Sequence, residues 1–291
     1  MARSIDELIR TVPSSLGSYG PILEEIGEVL QSPQSSLGTL GEAIEKDPDL
    51  TARLLRLGNS SFYGFSSRLA TVAEAISLIG IQQVEDLIVA SSIVERFRGV
   101  ADEFVSMESF WRHSLACGIG ARLLAIQRRL PKADKFFVAG LLHDLGRLVL
   151  FGEAPEAAQE IFQLYQKERL LLREAEARVL GFDHQQIGEA LLRHWKYPPN
   201  LVQAVACHHH PASCAIAREE AAIVHVSDHL VNAMRIGSSG ERFVPPLNIK
   251  AWDTLELSTN GLSTIVEGID EQLEAVEEVF LSNVKAHERS V

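Results

Sequence analysis

Histidine is concentrated in one part of the chain. The sequence has 291 residues and ten histidines, and nine of the ten lie between positions 113 and 229. Neutral imidazole is the side chain that most often binds transition metals in proteins. The clustering therefore predicts a metal site assembled from this region of the sequence.

The segment Leu141 to Arg147 combines an imidazole, a carboxylate and a guanidinium within one helical turn, as His143, Asp144 and Arg147. The spacing predicts one continuous helix with apolar residues on one face and these three polar groups on the other. Burying a carboxylate and a guanidinium in so apolar a run is costly unless they are paired or bind a metal. Two interpretations stay open. Asp144 could bridge two ions while Arg147 contacts a phosphate oxygen, or the two could form a buried ion pair beside a hydrogen-bonded histidine.

Two further clusters contain histidines at short spacing. Three consecutive histidines lie between Cys207 and Pro211, and at most two of the three could serve one site because their side chains point in different directions. Later in the chain, His225, Asp228 and His229 share one face of a predicted helix. Each cluster also has a plainer interpretation, a solvated helix end for the first and an ordinary polar helix face for the second.

His113 and His184 are isolated in the sequence. Small residues follow His113, which predicts that another helix approaches closely there. His184 follows Asp183, a residue type that often caps a helix N-terminus. A single histidine is more often an ordinary core or surface residue than a ligand, so neither residue alone establishes a site.

The elements that must position these residues are predicted to be helices. Apolar residues and glutamates recur every three or four positions, alternating strand patterns are scarce, and Pro or Gly residues separate the segments. We expect an all-α protein in three parts. Residues 1–105 form a helical N-terminal part, and residues 106–235 form the core with the histidines. Residues 236–291 begin with a linker, Gly237 to Pro246, and end in an acidic helix, Asp270 to Val284, that packs back on the body.

Composition narrows the class of protein. The formal net charge of −12 argues against nucleic acid and anionic membranes as partners, because both are bound through Lys and Arg. Three cysteines without a CxxC pair are typical of a reducing compartment. The N-terminus lacks the apolar run of a signal peptide, and the stretch Phe136 to Phe151 is too short and too charged to span a membrane. We therefore expect a cytoplasmic protein.

Taken in order, the polar residues resemble the ligand pattern H…HD…H…HH…D of the HD superfamily of metal-dependent phosphohydrolases. The seven positions of this pattern are filled by His113, His143, Asp144, His184, His208, His209 and Asp228. A closer resemblance is to the HDOD domain family of bacterial signalling modules. It covers roughly residues 20–235 and depends on the segments Leu54–Gly64, Thr71–Gly80, Trp111–Ser114, Ala139–Arg147 and His225–Asp228.

The resemblance implies an all-α fold, with a multi-helix HD-like core and an additional N-terminal helical subdomain, and a regulatory role in signal transduction. It also implies that the seven residues hold one or two divalent transition-metal ions, with Asp144 between them. Imidazole and carboxylate ligands without thiolate suit Fe, Mn, Zn or Ni. The superfamily further implies hydrolysis of a phosphate-containing small molecule by activated water, with Asp144 and Arg147 as catalytic residues.

Two features separate the chain from the branch of the superfamily that hydrolyses cyclic-di-GMP. After the three histidines comes Pro211-Ala212-Ser213 in place of glutamate and Gly-Tyr-Pro, and Arg147 stands where that branch usually has lysine. The missing Gly-Tyr-Pro motif argues against cyclic-di-GMP as the substrate, whereas arginine in place of lysine keeps the charge and changes the hydrogen-bond geometry. No glutamate occupies an obvious general-acid position, and Glu108 and Glu189 are the candidates that the sequence offers.

The alternative is a non-catalytic scaffold that has no functional metal centre and acts by binding a signalling protein. The segment Gly58 to Ser67 contains three aromatic residues and would be its docking surface, unless these aromatics pack inside the protein. Convergence of the seven predicted ligands on one place would favour the metal site. The sequence alone leaves open both enzymatic activity and oligomeric state.

Overall fold

The structure is a computed structural model that describes residues 4–12, 29, 36–97 and 103–281. Over these residues it contains helices and no strands, which confirms the prediction of an all-α protein. The α-helices in chain order are α1 (Ile5–Thr11), α2 (Leu37–Glu45), α3 (Pro48–Gly58), α4 (Val72–Ile79), α5 (Ile81–Arg96), α6 (Met107–Gln127), α7 (Asp134–Leu142), α8 (Leu145–Glu153), α9 (Pro155–Glu168), α10 (Leu172–Leu180), α11 (His184–His194), α12 (Pro199–Cys207), α13 (Arg218–Met234), α14 (Ile249–Thr254) and α15 (Leu262–Phe280).

By its internal contacts the chain divides into two compact units. The first, which we name the histidine unit, contains residues 1–13 and 97–269, and the second contains residues 14–96 and 270–291. The first division lies near the boundary predicted at residue 105. No division falls at residue 235, and the later one runs through α15.

In the second unit, local capping explains where the helices start. Asp47 accepts hydrogen bonds from the first free backbone N–H groups of α3, and Pro48 supplies a fixed φ at its first position. Thr71 and Glu74 form a reciprocal capping box at the start of α4. Leucines and isoleucines at helical spacing, such as Leu54 and Ile76, are buried and form the core of this unit.

The segment Gly58 to Ser67 is a loop whose aromatic residues pack on one another. Phe62 is buried, and Tyr63 and Phe65 are half-buried and stack with ring centroids 5.4 Å apart. Phe62 therefore belongs to the core, as the packing alternative expects, and is not exposed as a docking surface would require. The packing alternative describes this loop better.

Helix α6 is the central element of the histidine unit. Small residues allow α7 to approach it closely, as predicted, since a Cβ added at Gly140 would lie 2.6 Å from the carbonyl oxygen of Cys117. Helix α13 also packs on α6, and the Ser227 hydroxyl donates to the same carbonyl oxygen over 2.7 Å. The residues of α6 that face the centre are thus held between two neighbouring helices.

The helix predicted through His143 and Asp144 is interrupted at these two residues. Helix α7 ends at Leu142 and α8 begins at Leu145, with Asp144 at φ −100° and ψ 10°, outside the helical region. The prediction of one continuous helix was therefore wrong. The break falls at the two residues predicted to bind metal.

The segment Gly237 to Pro246 packs within the histidine unit and is not a free linker. Ser239 and Glu241 are buried, and the Glu241 carboxylate accepts hydrogen bonds from the backbone N–H of Leu172 and the hydroxyl of Tyr165. The linker prediction was wrong because glycine, serine and proline indicate irregular backbone but do not indicate whether that backbone is buried. We call these residues the 237–246 segment.

The acidic C-terminal helix predicted over residues 270–284 corresponds to the later part of α15, and its last three residues lie outside the described residues. Among the helices that the structure describes, no single one is both long and apolar enough to cross a membrane. Helices α4 and α5 meet that length and composition only as a pair, and the chain bends by 109° between them.

Candidate metal centre

The structure brings together all seven residues that the sequence predicts as ligands, and each is buried in the histidine unit. They come from five places in the chain. The predicted ligands are His113 in α6, His143 and Asp144 at the break between α7 and α8, His184 at the first position of α11, His208 and His209 directly after α12, and Asp228 in α13. Residues far apart in sequence therefore converge on one place.

A first group of donor atoms surrounds one carboxylate oxygen of Asp228. His113 Nε2 lies 3.2 Å from Asp228 Oδ1, and His143 Nε2 lies 3.6 Å from the same oxygen. His143 Nε2 is also 3.2 Å from Asp144 Oδ2. This group therefore offers two imidazole nitrogens and two carboxylates.

A second group of donor atoms surrounds His184. Its Nε2 lies 3.4 Å from His208 Nε2, 3.2 Å from His209 Nε2 and 3.1 Å from Asp144 Oδ1. Asp144 belongs to both groups, with Oδ2 toward the first and Oδ1 toward the second. Its carboxylate lies where it could bridge two ions.

The spacing of these atoms fits a divalent transition metal. Tetrahedral ligands at 2.0–2.3 Å from zinc lie roughly 3.3–3.8 Å from one another. The distances within the two groups, 3.1–3.6 Å, lie at or just below the lower end of this range. While the rings are neutral, two buried atoms in the centre, His143 Nε2 and Asp144 Oδ1, have no hydrogen bond. Unpaired buried polar atoms are costly, and a metal ion among them, or in its place a proton on each ring, would remove that cost.

In three of the predicted histidine ligands, the Nδ1 atom points away from the centre and donates a hydrogen bond to an oxygen that can only accept. His143 Nδ1 donates to the carbonyl oxygen of Gly140 over 2.7 Å, and His208 Nδ1 donates to that of Val205 over 2.8 Å. His184 Nδ1 donates to Glu176 Oε2 over 2.6 Å. Because Nδ1 carries the proton, the Nε2 lone pair of each neutral ring points into the centre, as metal ligation requires.

Comparison with known proteins identifies the family. The family model of the HDOD domain matches residues 16–211, more than half of the chain. The chain belongs to the HDOD domain family. Its predicted membership is therefore confirmed.

Solved structures share the HDOD fold of this chain. It is similar to an HDOD domain protein of unknown function from Geobacter sulfurreducens, with a TM-score of 0.75 and 24% identity over 94% of this chain and 97% of that one. It is also similar to a protein from Shewanella amazonensis SB2B named "Putative phosphohydrolase", with a TM-score of 0.71 and 23% identity over 92% and 98% of the two chains. An uncharacterized protein of Treponema pallidum (strain Nichols) is 24% identical over 211 residues, 72% of this chain. The chain spans about 40% of the length of that relative.

Arg147 of the HDOD domain is engaged with protein groups around the centre. Its Nη1 donates to Asp144 Oδ2 over 2.8 Å and to the Ser239 hydroxyl over 2.6 Å, and its Nε donates to Glu176 Oε1 over 3.1 Å. The ion pair with Asp144, which the sequence left as an alternative to metal binding, is thus present beside the converging ligands. The two interpretations are compatible, because Arg147 holds Oδ2 of Asp144 while Oδ1 faces the Nε2 atom of His184 at 3.1 Å.

The carboxylates raise the pKa of two ligands. Burial lowers the pKa of His143, but Asp144 and Asp228 outweigh it and raise that pKa to about 10. Burial and Arg147 lower the pKa of His184, but its two carboxylate neighbours raise it to about 9. Without a metal, both rings are therefore protonated near neutral pH.

The pKa values of His208 and His209, which directly follow α12, are shifted in the opposite direction. Burial and the neighbouring imidazoles hold the pKa values of His208 and His209 well below the usual range for histidine. Both rings are neutral at physiological pH and ready to act as ligands. The third histidine of the run, His210, is exposed and contacts Arg173, as expected if at most two of the three serve one site.

Other predicted positions lie outside the centre. His225 donates from Nδ1 to the carbonyl oxygen of His208 and accepts from the backbone of Asn248, so it positions the end of α12. Glu189, one of the general-acid candidates, pairs with Arg193 on the same helix. The Asp183 side chain caps α11 as expected and thereby orients its first residue.

Sequence reasoning missed Glu176, which is fully buried against two residues of the centre. Burial raises its pKa, but His184 and Arg147 outweigh burial and lower that pKa to about 2. Glu176 belongs to no motif in the sequence, and its neighbours in α10 are typical of an exposed helix. Only its place in the fold reveals it.

The HDOD centre is nearly closed. A cavity of about 10 Å³ adjoins His209, Asp228 and Asn232 and is bounded on the other side by Arg173 and Glu241. This is room for about one water molecule. The 237–246 segment supplies part of the wall, through Glu241 and Pro245.

Proposed function

We propose that this HDOD protein binds one or two divalent transition-metal ions at the centre and acts in bacterial signal transduction. The observation that supports metal binding is the convergence of two nitrogen and oxygen donor groups on the shared carboxylate of Asp144. The regulatory role rests on membership of the HDOD family. The proposed partners are a signalling protein and a phosphate-containing small molecule.

Three side chains that bind no metal themselves would hold the ligands in place. Arg147 keeps Asp144 ionised, because its guanidinium lowers the pKa of that carboxyl well below the usual range. Glu176 fixes the ring of His184, and the Asn232 amide donates to Asp228 Oδ1 over 2.7 Å. A divalent ion bound among these ligands would supply Lewis acidity and lower the pKa of bound water.

Beyond metal binding, we propose that the centre hydrolyses a phosphate ester. The cavity beside His209 and Asp228 is too small for a phosphoryl group, so a substrate would enter only after the 237–246 segment moves. Arg147 is engaged with Asp144, Glu176 and Ser239. We therefore assign it to positioning Asp144, in place of the direct contact with phosphate that the sequence suggested.

Elemental analysis of the untagged full chain tests metal binding. Wild type is compared with Asp144→Asn, which keeps the size of the side chain and removes its charge, and with His194→Ala, which alters an exposed histidine outside the centre. We expect stoichiometric Fe, Mn, Zn or Ni in wild type and in His194→Ala, and loss of metal in Asp144→Asn. Absence of metal from wild type after reconstitution with each ion would refute the proposal.

A metal-loaded sample then permits two functional assays. Hydrolysis of bis(p-nitrophenyl) phosphate by wild type but not by Asp144→Asn would support phosphohydrolase activity. If the protein binds metal but hydrolyses neither this nor other phosphate esters, the regulatory role remains as the proposed function. Affinity capture of partner proteins with metal-loaded and metal-free protein would then test that role.

A further inference from the structure

Cys117 lies one helical turn after His113 in α6, and its sulfur faces the first donor group. Its Sγ is 3.5 Å from His113 Nε2 and 4.0 Å from Asp228 Oδ1. The donor atoms of His113, Cys117, His143 and Asp228 all lie within 4.8 Å of one another, and all four residues are buried. Neither the sequence pattern nor the family resemblance includes this cysteine.

The distances match those of a mixed sulfur, nitrogen and oxygen site. For metal–sulfur bonds of about 2.3 Å and metal–nitrogen bonds of about 2.0–2.1 Å, tetrahedral geometry places sulfur roughly 3.6 Å from nitrogen. The observed separation from His113 is 3.5 Å. A second observation that does not involve the cysteine also indicates an ion in this group: His143 Nε2 is buried and has no hydrogen bond.

We propose that Cys117 is a thiolate ligand of the metal ion held by His113, His143 and Asp228. This inference rests on the proposed metal-binding function and adds one ligand to it. When the ion binds, the S–H bond breaks, the thiolate sulfur donates to the metal, and the proton passes to solvent. A thiolate makes the first group softer than the second, which favours Zn, Fe or Co over Mn there.

A plain structural role is the competing account. Buried cysteine packs as a small apolar residue, and its S–H group is a weak donor that could point at Asp228. Burial and the carboxylates of Asp228 and Asp144 raise the pKa of the Cys117 thiol well above its usual range. The two accounts differ in the metal-loaded protein, where a ligand sulfur has lost its proton and a packing sulfur keeps it.

Cobalt substitution distinguishes them. We would titrate Co²⁺ into the metal-free full chain and record the near-ultraviolet spectrum, where a thiolate bound to cobalt gives a charge-transfer band. The band should be present in wild type and absent in Cys117→Ser, while the visible d–d bands show that cobalt still binds. Cys214→Ser is the matched control, because Cys214 is also buried but its sulfur contacts the backbone of Gln203. It should keep the band.

The outcomes separate this inference from the proposed function. If wild type binds no cobalt, metal binding itself fails. If cobalt binds but wild type lacks the band, or if the band survives in Cys117→Ser, the thiolate ligand is refuted and the metal site stands. If Cys117→Ser does not fold, X-ray absorption of zinc-loaded wild type decides the question. One sulfur per chain at about 2.3 Å from zinc supports the proposal, and a shell of nitrogen and oxygen alone refutes it.

Discussion

Replacing Glu176 with glutamine would weaken metal binding without removing a ligand. The Glu176 carboxylate accepts hydrogen bonds from His184 Nδ1 over 2.6 Å, from the backbone N–H of His184 over 2.9 Å and from Arg147 Nε over 3.1 Å. Glutamine has nearly the same shape but only one acceptor oxygen. At least one of these three donors would therefore face the amide NH₂ group.

The expected magnitude follows from these contacts. Removing a partner that orients a metal-bound histidine typically lowers metal affinity 10- to 100-fold, which corresponds to roughly 1–3 kcal/mol of binding free energy. The metal-free protein should also lose about 1–3 kcal/mol of unfolding free energy, because a hydrogen bond to a charged group is replaced. The effect on affinity should concern the ion held by His184, His208 and His209.

Competition with a chromophoric chelator measures the affinity, and urea unfolding of the metal-free protein measures stability. Glu189→Gln is the matched control, since Glu189 makes a salt bridge with Arg193 that is partly exposed. Pairs of that kind contribute about 0–1 kcal/mol, so this variant should bind metal like wild type. A folded Glu176→Gln protein whose affinity stays within about twofold of wild type would show that Glu176 does not orient a ligand.

Three further predictions follow from the histidine unit. His143 and His184 have pKa values of about 10 and 9 without metal, so both rings must lose a proton before they bind a metal ion. In the Cys117→Ser variant, which has no thiol proton to lose, metal binding at neutral pH should therefore release about two protons. The metal affinity should rise with pH until about pH 9–10. Calorimetry in buffers of different ionisation enthalpy would measure this release, and no release would contradict protonation of both rings in the metal-free protein. Replacing Asp134 with alanine leaves the buried guanidinium of Arg122, 2.7 Å away, without this partner and should cost about 3–5 kcal/mol of unfolding free energy in urea. Replacing Gly140 with alanine places a Cβ 2.6 Å from a backbone oxygen of α6 and should cost about 1–3 kcal/mol; a thermal midpoint equal to that of wild type would refute this close packing.

Much of the centre could be predicted from the sequence because its ligand types are rare in buried helices. The order of His143, Asp144 and the later histidines narrowed the ligands to seven positions, and the structure places all seven together. Helical spacing likewise identified the fold class, since an apolar residue every three or four positions needs only local geometry to be recognised.

The supporting residues could not be found in this way. Glu176 and Cys117 belong to no motif. Glu176 lies near His184 only because α10 passes beside it. Cys117 shares a helix face with His113, but only the packing of α13 brings Asp228 to its sulfur. The break after Leu142 was also hidden, because its flanking residues continue the apolar spacing of a single helix. The role of the 237–246 segment was misjudged for a related reason, since composition indicates irregular backbone but not what that backbone covers.

The sequence by itself determined the all-α class, the family and the candidate donor groups of this protein, because these depend on periodicity and on the chemistry of single side chains. The tertiary structure decided which donor atoms lie close enough to share an ion, that Glu176 holds the ring of His184, and how little room the centre leaves for a substrate. These properties depend on distances of a few ångströms between side chains on different helices, such as His184 and His208. Such distances are set by how whole helices pack against one another, and local sequence patterns carry no record of them.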